Sequence, residues 1–151
     1  MRRMLTTIAL LAAVALHADP VLAVDNVMSK DSPQLSAVRV KIDAKDWTGA
    51  VADLKKLAVT YQHADVYNLL GYSLRNMGDY AQARTHYAKA LDFDPNHRGA
   101  HEYLGELYLK TGEIDKARAM LVKLEKLCPS GCEELADLKK ELSEAAAPKT
   151  N

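Results

Sequence analysis

An all-α solenoid of antiparallel helix pairs is predicted by three features of the chain. A 34-residue unit repeats without a gap, apolar residues recur inside it at helical spacing, and glycine and proline punctuate the helix ends. The repeat is visible when residues 64–97 are set above 98–131. Leu70, Gly71, Gly78, Ala83, Arg84, Lys89 and Pro95 then recur as Leu104, Gly105, Gly112, Ala117, Arg118, Lys123 and Pro129.

The elements follow in chain order. Residues 1–23 read as a secretory signal, with Arg2 and Arg3 ahead of an uncharged, mostly apolar run of 12 from Leu5 to Leu16. Val21 and Ala23 supply small residues at the −3 and −1 positions of a cleavage site. The run is short of the roughly 20 apolar residues that span a bilayer. Cleavage would leave 24–30 as a disordered N-terminal tail, with 147–151 as its C-terminal counterpart. Retention of the signal as a membrane anchor is the other reading.

In unit 64–97, Tyr67, Leu70 and Leu74 line one face of a first helix at i, i+3, i+7. Gly71 interrupts that face at about 1 kcal/mol relative to alanine, which is reasonable where another helix must come close, and small Ala83 is a candidate to face it. Gly78 suits a left-handed C-cap and Asp79 suits the start of the second helix. That helix carries Ala83, Tyr87 and Ala90 at i, i+4, i+7, and Pro95 closes the unit.

This combination resembles the tetratricopeptide repeat family, whose unit carries an aromatic, Leu-Gly, Tyr, Ala, Phe/Tyr, Ala and Pro at set places. Unit 64–97 holds Tyr67, Leu70, Gly71, Leu74, Ala83, Tyr87, Ala90 and Pro95 there, and unit 98–131 holds His101, Leu104, Gly105, Tyr108, Ala117, Leu121, Leu124 and Pro129. The resemblance implies a right-handed solenoid. Upstream, 31–63 looks like a degenerate unit: Asp46, Trp47 and Ala50 match Asp79, Tyr80 and Ala83, but Leu-Gly has become Ala37-Val38 and the turn glycine has become Lys45. Downstream, Leu135, Leu138 and Leu142 give 132–146 one apolar face and Lys139, Lys140 and Glu141 a charged one. That segment reads as a capping helix, and Ser130 with Glu133 makes a candidate capping box.

Charge narrows the function. Without residues 1–23 the chain has 18 basic and 19 acidic side chains, a net charge of −1. A mixed, near-neutral surface gives no footprint for nucleic acid, and no other segment would insert in a membrane after signal cleavage. No phosphate loop, HExxH or nucleophile elbow occurs, so no enzyme and no cofactor are expected.

The resemblance implies instead that a protein or peptide partner lies in the concave groove formed by the first helix of each pair. Carried over position by position, the groove residues are Arg39, then Asn68, Tyr72, Arg75 and Asn76, then Glu102, Glu106, Leu109 and Lys110. Tyr72 and Arg75 would offer forked donors beside an aromatic face to backbone amides or a carboxylate. The carboxylate clamp of some family members is not matched, because Leu35, Leu69, Gly99 and Tyr103 occupy four of its five positions. The expected role is an adaptor or scaffold in a Gram-negative periplasm, with self-association as a further possibility for a short, open-ended stack.

Two clusters suggest other chemistry. His97 and His101 stand at a metal-ligand spacing, although His101 also occupies its unit's aromatic packing position. Cys128 and Cys132, the only cysteines, flank Pro129-Ser130-Gly131. In an exported protein the pair reads as a disulfide, since Pro129 and Gly131 break the helical geometry that would keep the sulfurs apart. Copper or zinc handling, or a redox role, is the alternative.

Overall fold

The computed structural model describes residues 33–147. Seven helices run in order: α1 (Pro33–Asp43), α2 (Trp47–Thr60), α3 (Ala64–Asn76), α4 (Tyr80–Phe93), α5 (Arg98–Lys110), α6 (Ile114–Leu127) and α7 (Glu133–Ala146). No strand occurs among the described residues, and no described helix is long and apolar enough to cross a membrane. The expected signal (1–23), the N-terminal tail (24–30) and the C-terminal tail beyond Ala147 lie outside the described residues. Each helix packs on its successor, and α3 also meets α5 as α5 meets α7. The result is an all-α helical repeat in which the first helices of successive pairs are neighbours.

The turns inside the pairs share one backbone solution. Gly78 and Gly112 have φ of +86° and +78°, a left-handed conformation that glycine adopts without a Cβ clash. In the degenerate unit Lys45 takes that place with φ of +57°, so the turn survives the loss of its glycine at some strain. Asp46 and Asp79 then cap α2 and α4, accepting from the Gly49 and Gln82 amides at 2.9 and 3.1 Å. The first helices are capped differently. His63 Nδ1 accepts from the Asp65 amide at 3.3 Å, and His97 Nδ1 accepts from the Ala100 amide at 3.1 Å.

A continuous core runs through Leu35, Val38, Leu54, Leu70, Leu74 and Leu107. The burial of Leu35 and Val38 seats α1 in the stack even though its Leu-Gly pair is missing. The ring of fully buried Tyr87, rather than Ala83, fills the space over Gly71: a Cβ there would stand 2.7 Å from ring carbons. One repeat later that tyrosine is Leu121, and the space over Gly105 is taken by Leu138 of α7, 2.6 Å from where a Cβ would be. The last helix is therefore keyed onto α5 by a glycine notch.

The start of α7 departs from the expected capping box. Its N-cap is Cys132, without a side-chain cap bond, and not Ser130. Gly131, at φ of +94°, donates its amide to the Cys128 carbonyl at 2.9 Å, which places Ser130 inside a tight turn. Cys128 and Cys132 are joined as a disulfide across that turn, with Cα atoms 6.0 Å apart.

Candidate functional site

The first helices of the pairs line two adjoining hollows. The larger, about 610 Å³, lies where α3 and α5 begin, and its walls include Arg39 of α1, Asp65 and Asn68 of α3, Gly99 and Tyr103 of α5, and Glu134 of α7. The smaller, about 210 Å³, is lined by Glu102, Tyr103, Glu133, Glu134 and Asp137. Tyr103 and Glu134 belong to both, so the hollows form one polar cleft across the stack.

At the wide end, His97 ties two repeats together. Its Nδ1 accepts from Ala100, which puts the ring proton on Nε2, and Nε2 donates to Asp65 Oδ1 at 2.9 Å. That hydrogen bond holds the Asp65 carboxyl below its ordinary range against the opposing effect of burial. Asn68 forms part of the wall. It is 6% exposed, and its carbonyl Oδ1 is buried without a partner. Opposite it, any side chain at position 99 would crowd the Asn68 amide, since a Cβ there would stand 3.3 Å from Nδ2. Arg39 Nε is likewise buried and unpartnered.

Beside the cleft, Arg75 is enclosed rather than open. It is ion-paired with Glu106 of α5, and its guanidinium lies 5.4 and 5.3 Å from the ring centroids of Tyr72 and Tyr103. Those two rings are themselves 4.9 Å apart, and Trp47 meets Tyr72 edge-on at 6.0 Å. Arg75 and Glu106 are only 9% and 8% exposed. The forked donor expected to face a partner is therefore engaged within the fold.

At the narrow end, Glu102 is 7% exposed, and no hydrogen bond or ion pair from another described residue meets its carboxyl. Burial pushes its pKa up to about 8, helped by the negative charges of Glu106, Asp137 and Glu134 and opposed by Arg75. Burial likewise pushes the Tyr103 phenol up to about 12.

Of the nine residues expected in the groove, Arg39, Asn68 and Glu102 line the cleft, while Tyr72, Arg75 and Glu106 form the buried cluster beside it. Asn76, Leu109 and Lys110 line neither hollow, and Asn76 donates to the Tyr72 carbonyl at 2.9 Å. Asp65, Tyr103, Glu134 and Asp137 were not among the expected residues. The histidines considered for metal are occupied: His97 as described, and His101 Nε2 against the Pro95 carbonyl at 2.9 Å. Among the described residues no group of three or more His, Cys, Asp or Glu side chains is placed to hold a metal ion.

Two matches to the family described as "Tetratricopeptide repeat" span residues 35–97 and 74–142, and together they cover the helical stack. No curated protein matches the chain in sequence. Among solved structures, PcrH in complex with the chaperone-binding region of PopD is 20% identical. The match covers 82% of this chain and 98% of that one, at a TM-score of 0.68. The translocator chaperone SycD of Yersinia enterocolitica is also 20% identical, over 80% and 87% of the two chains, with a TM-score of 0.68. The TPR2B domain of yeast Sti1, solved as a complex with pHsp70, is 16% identical over 75% and 96%, with a TM-score of 0.67. At such identities the likeness is one of fold.

Proposed function

Because the chain belongs to the tetratricopeptide repeat family, we propose that it is a non-enzymatic binding module that holds an extended segment of a partner protein along the cleft of its first helices. The observation that carries this reading is the polar cleft itself, about 610 Å³ where α3 and α5 begin, with Gly99 placing no side chain over the Asn68 wall. Its walls of Arg39, Asp65 and Asn68 offer donors and acceptors to the backbone of an extended segment. The complexes of PcrH with the chaperone-binding region of PopD and of the yeast Sti1 TPR2B domain with pHsp70 support the reading by likeness of fold.

The module is proposed to work as an adaptor or scaffold after export to the periplasm. The disulfide between Cys128 and Cys132 supports an oxidising compartment, as does the signal-like run of residues 1–23.

The test is a peptide array probed with the purified, exported protein and with two variants. Gly99→Trp fills the cleft from the half-buried start of α5, whereas Val59→Trp, at a position 80% exposed on α2, leaves it open. Both are checked for unchanged helicity. Capture of peptides by the wild type and Val59→Trp but not by Gly99→Trp is the expected result. Equal capture by Gly99→Trp would place binding elsewhere and overturn the reading.

A further inference from the structure

We propose that the segment held in the cleft is basic, and that one of its lysine or arginine side chains enters the acidic hollow between α5 and α7 to meet Glu102. The proposal rests on the groove reading above and names the chemistry of its occupant.

Two independent observations lead to it. The first is charge: Glu102, Glu133, Glu134 and Asp137 surround the 210 Å³ hollow with Tyr103, while Arg98 meets Glu134 only loosely at 3.5 Å and Arg75 is engaged by Glu106. The second is the state of Glu102 itself. Its side chain is more than nine-tenths buried and borders the hollow, yet it has neither hydrogen bond nor ion pair from another described residue. A carboxyl group so far withdrawn from water, with only the hollow to hydrate it, is costly to ionise in the free protein. An entering ammonium or guanidinium would supply the missing donor, with Glu134 and Asp137 sharing its charge.

The hollow suits an organic cation better than a metal ion. Among the described residues no three ligating side chains are placed to hold a metal. Tyr103 adds an aromatic face on which an alkyl stem or guanidinium can rest. The same tyrosine borders the larger hollow, so a segment hydrogen-bonded at Asn68 can continue into the acidic end without leaving the cleft. The raised pKa of Glu102 has the same origin, its burial among Glu106, Asp137 and Glu134, and an entering cation would lower it.

The peptide array decides the matter when its 12-residue peptides vary in lysine and arginine content. Captured peptides should be enriched in both residues. The double variant Glu102→Gln/Asp137→Asn should bind lysine-containing peptides about tenfold more weakly, as expected for loss of a desolvated ion pair. Unchanged helicity and a single cooperative melt show that the double variant is folded. Capture that Gly99→Trp abolishes, but with no basic enrichment or no effect of the double variant, would overturn this proposal and leave the groove reading standing. Failure to capture any peptide would overturn both.

Discussion

Arg75 of α3 and Glu106 of α5, thirty-one residues apart, form a buried ion pair roofed by the rings of Tyr72 and Tyr103. It fastens two consecutive repeats at the edge of the cleft. Removing one partner leaves the other charge buried and uncompensated, the costly way to break such a pair. Glu106→Ala should therefore lower unfolding free energy by about 3 kcal/mol in urea at neutral pH. Arg75→Met combined with Glu106→Leu should recover most of that loss, because the cavity is then filled by apolar groups of similar size. A binding defect in Arg75 variants accordingly means little until their stability has been measured.

Lys45 offers a gain rather than a loss. A left-handed conformation costs a non-glycine residue about 1 kcal/mol, and the two other turns of this kind use glycine. Lys45→Gly should relieve that strain and, after the extra entropy of the unfolded glycine, raise stability by about 0.5 kcal/mol. Gly78→Ala should act in the opposite direction by about 1 kcal/mol. Thermal melts of the two variants against the wild type separate these signs.

The repeat, its turn glycines and the aspartates that cap α2 and α4 were legible because each is a local signal tied to helix geometry. The ties between repeats were not. Arg75–Glu106, Asp65–His97 and Arg84–Glu113 join residues 31, 32 and 29 apart, slightly less than one repeat, and no local pattern marks such partners. A scan for opposite charges at that separation would have found the two arginine–glutamate pairs but not Asp65–His97. The cleft was legible only in part for a related reason. The residues carried over came from the fifth, ninth, twelfth and thirteenth places of each unit. The cleft is also lined by the second place (Asp65, Gly99, Glu133) and the sixth (Leu69, Tyr103, Asp137), two of those residues coming from α7. In repeat register α7 is the first helix of a fourth unit, and carrying cleft positions into it as well would have brought Asp137 beside Glu102.

The disulfide closes a five-residue loop at the hinge between α6 and α7. Chain-entropy reasoning gives about 2 kcal/mol for a loop of that size. Cys128→Ser/Cys132→Ser should lose about that much, and the loss should be local. In hydrogen exchange, α7 amides should lose protection while those of α3 and α4 keep theirs. Uniform loss across the stack would show that α7 and the core unfold as one unit.

Glu102 makes stability fall as pH rises. Its folded pKa of about 8 lies above the unfolded value of about 4.3, so the folded protein keeps a proton that the unfolded chain has released. Unfolding in that window releases the proton, and the penalty grows from about pH 4.3 to about 8 before levelling off. The groups facing it are Glu106 on its own helix, Glu134 and Asp137 on α7, and Arg75 on α3. Glu102→Gln should remove this slope and be more stable than the wild type at pH 8, with little difference at pH 4. Urea midpoints measured across that range provide the check.

The most direct test of the binding cleft is an amide chemical-shift titration of the labelled protein with an array-selected lysine-containing peptide. Saturable shifts should cluster at Asn68, Gly99, Glu102, Tyr103 and Asp137, with the α2 and α6 surfaces around Val59 and Val122 unmoved. Shifts centred on Val59 or Val122, with the cleft residues silent, would contradict it.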